Sequence, residues 1–393
     1  MGRESCFLFS RGNAAIPGGD VERRYATVSL VMFERLVLPF GLALADAFKF
    51  RNLRIGHCMD AQFNECMKVA RRLVDPSFLE SLKQPRPRAI IVATTMIWFQ
   101  IVICWAIALL GPWWLLWLPF LINCAVTQGM LLWVHEASHF HLFSSRRKND
   151  IWCDMFFAAP VGMSVGAYRL RHMSHHAHLG TEKDEDGYPY REPIKGFRAL
   201  VWVMVKALSG GMGVWLAADK YGGLARKKAS GNSLSPSWLA PMVTIIFNGL
   251  LFALCIATGR WYLYILLWGY PIAAVAIALN IVRTIAEHQP EDYPLYQDGR
   301  ERAMMPLART TVPNWFEKWL MYQANFNYHI EHHLFPAIPQ HNLAKLHRHL
   351  LEGGFYEHFP GCLQRSGFAK FIRLSRNRRN DDFSDSVQDA LAL

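Results

Sequence analysis

The sequence predicts an all-α membrane protein, with four transmembrane helices as two hairpins and a cytoplasmic helical cap carrying clustered histidines. Three observations lead there. Hydrophobic residues fill 52% of the 393 positions and charged residues only 19%, an apolar excess that a soluble domain would bury only in an unusually large core. Two long stretches are nearly free of charge. Nine of the sixteen histidines fall in four groups, two between the stretches and two after the second.

The first stretch, Ala89 to Val134, contains no charged residue and has the length of two spans of roughly 20 residues each, with Gly111-Pro112 where a tight turn belongs. The second runs from Leu239 through about Val282 and is interrupted by Gly259-Arg260, again two spans and a short turn. Lys and Arg accumulate on cytoplasmic loops. Arg71, Arg72, Lys83, Arg86 and Arg88 precede the first span, and Arg146, Arg147 and Lys148 follow the second. Both termini are therefore expected in the cytoplasm. The formal charge of +11 is mostly this topological bias together with attraction to anionic headgroups. No basic recognition element suggests a nucleic-acid partner, whereas an acidic electron-transfer partner is compatible with the charge.

The expected organisation is a cytoplasmic or interfacial region over residues 1–88, a membrane domain over 89–363 and a mobile tail over 364–393, where charges mix with Ser and Asn. Charged residues interrupt the first thirty positions, so these are not expected to act as a secretory leader. The apolar stretch Val28 to Ala45 contains Glu34, Arg35 and Pro39 and reads as a short interfacial helix. The eight cysteines form no C-x-x-C pair, and Cys104 and Cys124 fall inside spans, so reduced, structural thiols are expected.

His135 and His139 end the second span in HEASH. His172, His175 and His176 lie in HMSHH, His288 follows the fourth span, and His329, His332 and His333 lie in HIEHH. Residues at i, i+3 and i+4 share one helix face, so each triplet aims three imidazoles the same way. All four groups fall on the predicted cytoplasmic side and can converge. Alone, HEASH fits a zinc protease, with two histidine ligands and Glu136 as general base. So many imidazoles, however, exceed the four ligands of a mononuclear zinc site and suit two ions of higher coordination number. A metal transporter would instead spread its ligands within the spans. Imidazole alone does not select iron over copper, nickel or zinc.

The three boxes, in this order and with these hairpins, resemble those of the membrane fatty-acid desaturase and hydroxylase superfamily over roughly Ala89 to Leu350. The resemblance extends to LGTEKDED after the second box, to Arg283–His288, to ART at Ala308–Thr310 and to NFNYHIEHHLFPAIPQHNLAKLH. HEASH is also similar to the first box of sphingolipid desaturases. Two departures stand out: Asp184-Glu185-Asp186 lacks a proline that relatives often carry between the acids, and Thr284 replaces an asparagine found in some of them.

The resemblance implies two iron ions held by His135, His139, His172, His175, His176, His288, His329, His332 and His333. It also implies O2 as co-substrate and a lipid or fatty-acyl substrate in the membrane. The expected reaction is desaturation, with hydroxylation or oxidative decarboxylation as alternatives on the same scaffold. Ile16-Pro-Gly-Gly19 is similar to the haem loop of a fused cytochrome domain but lacks the preceding histidine, so a separate electron donor is expected: a ferredoxin, rubredoxin or small cytochrome with its reductase. A bacterial inner membrane is favoured over the endoplasmic reticulum.

Among the other residues, Glu136, Asp186 and Glu331 are candidates to orient ligand rings. Trp133, Phe140 and Phe143 read as interfacial anchors or as an acyl channel. His141 and His178 flank the boxes off the repeated spacing, in supporting or solvated positions. His341, His347 and His349 read as exposed helix histidines, so that substitution of His347 is expected to be nearly silent.

Overall fold

The computed structural model describes residues 58–181, 183–190, 196–217, 238–289, 292–294, 302–304 and 308–375. The expected interfacial helix at Val28–Ala45 and the Ile16–Gly19 segment lie outside them, as do residues 376–393.

Two helices, α1 (Cys58–Leu73) and α2 (Pro76–Leu82), precede the spans. Asp75 starts α2 by accepting from the backbone N–H groups of Ser77 and Phe78, and Pro76 sits at the first helical position, where its missing N–H costs nothing. The first hairpin is α3 (Pro87–Leu110) and α4 (Trp117–Ser138), joined through Gly111-Pro112 as expected. After α4 come α5 (Arg146–Cys153), α6 (Val165–His178) and α7 (Phe197–Leu208). The second hairpin is α8 (Leu239–Ala257) and α9 (Tyr262–His288). These four helices are long and apolar enough to cross a bilayer. The sequence reading left α7 unassigned; with Gly211–Ala217 it forms an apolar pair bent by 66°, a broken span or a re-entrant segment.

Arg260, the lone charge of the α8–α9 turn, explains how the hairpin tips meet. Gly259 adopts φ +68°, closing the end of α8 as glycine readily does. The Arg260 Nη1 group then donates to the carbonyls of Ala108 (3.0 Å) and Leu109 (3.1 Å), two acceptors that the end of α3 leaves without helical partners. The spans also differ in burial. Only 11% of the apolar window of α8 is buried and 33% of that of α3, against 56% for α4 and 50% for α9. The inner pair therefore carries the site, while Val92, Phe99, Val102, Ile245 and Leu250 lie exposed on the outer pair, as lipid-facing residues do.

Two apolar cores result. One, containing Trp105, Trp133, Phe157 and Trp268, lies among the spans. The other packs Ala70, Val74 and Leu82 of α1–α2 against Ile330, Leu343 and Leu346 of α10 (His329–Leu334) and α11 (Gln340–Glu352). The chain is mostly helical, with two small ladders added. Strand β1 (Asp292–Pro294) pairs antiparallel with β2 (Arg302–Met304), and β3 (Thr310–Val312) pairs parallel with β4 (Leu363–Arg365). The second ladder corrects the tail boundary. Residues 364–375, expected to be mobile, continue β4 and form α12 (Gly367–Ser375), which packs against α9. The described cysteine side chains, Cys66, Cys104, Cys124, Cys153, Cys255 and Cys362, are buried and unbridged.

Candidate metal centre

Each histidine box is placed by contacts visible in its own neighbourhood. The last carbonyls of α4 have no helical N–H to accept from. Arg169 of α6 supplies donors to Ala137 and Ser138 and pairs with Asp150, while the Asn149 amide also donates to Ala137. These bonds fix the second box, on α6, against the first. The third box follows a turn in which Ala324 and Asn325 take φ +55° and +57°, a left-handed conformation that costs side-chain-bearing residues roughly 1–2 kcal/mol each. Gln323 holds that turn on α4 through its amide donating to Ala125 O at 2.8 Å.

All nine predicted histidines come together, in two adjacent groups. The ligand atoms of His135, His139, His172, His176 and His332 lie within 4.8 Å of one another. Nε2 of His139 is 2.8 Å from that of His172, His172 is 3.0 Å from His176, and His176 is 3.1 Å from His332. The second group joins His175, His288 and His333, with His329 2.7 Å from His288 and 3.1 Å from His333. Helix periodicity explains this sorting. Residues i and i+4 project nearly together, whereas i+3 projects to the other side of i. His172 and His176 therefore enter the first group and His175 the second; in the third box His329 and His333 enter the second group and His332 the first. Five imidazoles face one position and four face the other.

The donor set fits metal ions. His135 is buried and neither of its ring nitrogens has a hydrogen-bond partner among the described residues, Glu136 Oε1 being 3.7 Å from Nδ1. Leaving such a group unsatisfied costs about 1–3 kcal/mol, which a coordinated cation removes. Burial, reinforced by neighbouring imidazoles, pushes His139, His172, His329, His332 and His333 well below the ordinary histidine range, and His176 down to about 3. The rings are neutral and present lone pairs, the form that binds metal.

Four buried carboxylates border the rings. Asp184 lies 3.0 Å from Nδ1 of His175, which donates to it, and Tyr190 donates to the same carboxylate. Burial would raise its pKa, but the hydrogen bonds from His175, Tyr190 and Gly180 hold it below the usual range. Sequence reasoning named Asp186 for this role; Asp186 instead pairs with Arg171 at 3.3 Å. The signal was available in the DED run, where the two candidate aspartates stand two positions apart. Glu136 accepts from His141 Nδ1 (3.1 Å) and the Gln340 backbone (3.2 Å), so it is tied to structure rather than facing a substrate as a protease base would. Glu331 is bonded by Thr310, Tyr356 and His347, the last at 2.5 Å. Glu287 pairs with Arg283 at 2.6 Å and lies 3.5 Å from His329 Nε2.

Several surrounding expectations need correction. His347 is a partner of Glu331, not an exposed helix histidine, and His349 meets Leu73 O at 3.2 Å and packs at a tilt against Phe78. His341 contacts Gln84 O at 3.1 Å. Trp133 is buried and stacked on Phe157, which makes it a core residue and not an interfacial anchor. Phe140 lies beneath the Arg169 guanidinium and Phe143 against Trp152. Phe326, which sequence reasoning missed, wedges edge-on against His135 with centroids 4.5 Å apart.

Four apolar spans with paired imidazole groups at the ends of the inner two define a multi-pass membrane protein with a candidate metal centre. Comparison with known proteins gives the family. The fatty acid desaturase model matches residues 112–366. The chain is 24% identical over 297 residues to a human sphingolipid delta(4)-desaturase/C4-monooxygenase, covering 72% of this chain and 79% of that protein. It is 27% identical over 311 residues to the dihydrorhizobitoxine desaturase of Bradyrhizobium elkanii, covering 75% and 81%. To the sn-1 oleoyl-lipid 12-desaturase of Anabaena variabilis it is 22% identical over 271 residues, covering 65% and 74%. The chain belongs to the fatty acid desaturase family and is an oxidoreductase of that family.

Proposed function

We propose that this protein is an O2-dependent di-iron desaturase that introduces a carbon–carbon double bond into the alkyl chain of a lipid. The observation that carries the proposal is the sorting of nine imidazoles, seven of them buried, into two adjoining groups. His135, His139, His172, His176 and His332 would hold one ion and His175, His288, His329 and His333 the other. When bound, the iron pair supplies reduction of dioxygen and an oxidant able to remove hydrogen from an unactivated methylene.

The chain's own contribution is placement and dryness. Asp184, by accepting from His175 Nδ1, turns the opposite nitrogen of that ring toward the second group. Arg169 and Gln323, with Asn149, fix the segments bearing the second and third boxes relative to α4, so that a reacting carbon meets a rigid site. The apolar inner spans α4 and α9 lead from the bilayer to the histidines, and Trp133 on Phe157 keeps water from the space beside the first box.

Desaturation is favoured over hydroxylation and decarboxylation because the third box and its flanks resemble acyl-lipid desaturases. Two relatives carry desaturase names that include a lipid. The functional membrane domain would run from about residue 89 through α12, with α1 and α2 packed against α10 and α11. The proposed setting is a bacterial inner membrane with both termini in the cytoplasm, fed by a separate ferredoxin, rubredoxin or small cytochrome. Lipid profiling of an expressing host, aerobic and anaerobic, beside a His332→Ala control tests this reading. New double bonds only with oxygen and only in the wild type support it. An 18O-labelled alcohol would make the enzyme a hydroxylase, and an oxygen-independent product would refute the di-iron reading.

A further inference from the structure

The two imidazole groups are unequal, and the shortfall lies beside a buried acid. Glu287 precedes His288 at the end of α9 and is fully buried. Its ligand atom shares a 4.8 Å neighbourhood with those of His288 and His329. Oε2 is 2.6 Å from Arg283 Nη1 and 3.5 Å from His329 Nε2, while Oε1 has no hydrogen-bond partner among the described residues. Arg283 is itself held in place, its other terminal nitrogen donating to Asn280 Oδ1 at 2.8 Å and its guanidinium lying 4.3 Å over the Phe326 ring. A buried carboxylate with one oxygen paired and the other bare is poorly satisfied by the protein alone.

We infer that Glu287 is the fifth donor of the four-histidine group, a carboxylate ligand to the metal ion that His175, His288, His329 and His333 hold. The inference rests on the two-metal reading proposed above. Three features support it together. The group with four imidazoles is the one that Glu287 adjoins, so the carboxylate brings the donor number of both groups to five. A divalent cation satisfies the bare oxygen. Arg283, bonded to the remaining oxygen, sets the carboxylate's orientation and competes for only one of its two oxygens. The ions are then chemically distinct: one in an all-imidazole shell, the other carrying an anionic oxygen ligand that lowers its net charge.

The test is iron content and 57Fe Mössbauer spectroscopy of the full chain purified in detergent, comparing wild type with Glu287→Gln, Arg283→Gln and the double variant. The wild type should hold about two ferrous ions per chain as two inequivalent signals, and the variants lacking the carboxylate about one, with the all-imidazole signal unchanged. Arg283→Gln should keep both. The double variant matters most, because it leaves no buried charge unpaired and so separates a ligand from a counter-ion of Arg283. If it retains both irons with unaltered spectra, Glu287 serves only Arg283 and the inference is overturned. A wild type that binds fewer than two irons would instead defeat the di-iron reading itself.

Discussion

The five-imidazole and four-imidazole groups draw on the same second and third boxes yet differ in support. The first takes the whole of HEASH at the end of α4, and its edge is braced by Arg169 and Asn149 on the helix carbonyls. The second takes a lone histidine from α9 and is bordered by Asp184 and Glu287. The difference teaches that similar H-x-x-H-H motifs do not make similar sites. Which ring enters which group follows from helix phase, and the carboxylates around each group give the two positions unequal charge.

Substitution of the rings should break this comparison most visibly. His332→Ala and His333→Ala are each expected to abolish product, but the first leaves four imidazoles in its group and the second only three. Each variant should lose the ion of its own group, read as loss of a different one of the two iron signals; loss of the same signal in both would argue against the sorting. Asp184→Asn reaches the second group alone, through His175. We expect roughly 10–100-fold weaker iron binding at that ion, read by chelator competition, with the other ion unaffected.

Acid should loosen the metal-free protein. With the buried rings held below their unfolded value of 6.5, and His176 near 3, the unfolded chain binds more protons as pH falls through about 6.5. Stability is fully present above that pH and declines toward the folded values. Melting temperatures of metal-free protein measured from pH 8 to 5 should fall with pH; a flat profile would contradict neutral buried rings.

His347→Ala removes a partner of the buried Glu331 carboxylate and should lower stability by about 1–3 kcal/mol with iron content intact, measurable by thermal melting. The smallest effect is expected at the far end of the spans. Arg260→Ala should cost about 0.5–1.5 kcal/mol, the worth of a few hydrogen bonds, without changing product yield.

The features legible in the sequence were those with a period or a length. Uncharged runs gave the four spans, helical spacing gave the eight box histidines, and the family resemblance added His288. Their division into two groups was implicit in that spacing but needed the direction of each helix. Contacts over long sequence separations were not legible: Glu331 with His347 and Tyr356, Gln323 with Ala125, Arg260 with Ala108. A histidine on a polar helix face reads as exposed until the acid that it meets is placed beside it. The tail was misread for a related reason, since the polar sequence after Leu363 is held by backbone pairing to Thr310–Val312, which side-chain polarity does not report.

Metal analysis of the purified wild-type chain tests the central claim most directly. The account predicts about two irons per chain with no stoichiometric zinc; a single metal ion, or zinc alone, would contradict it.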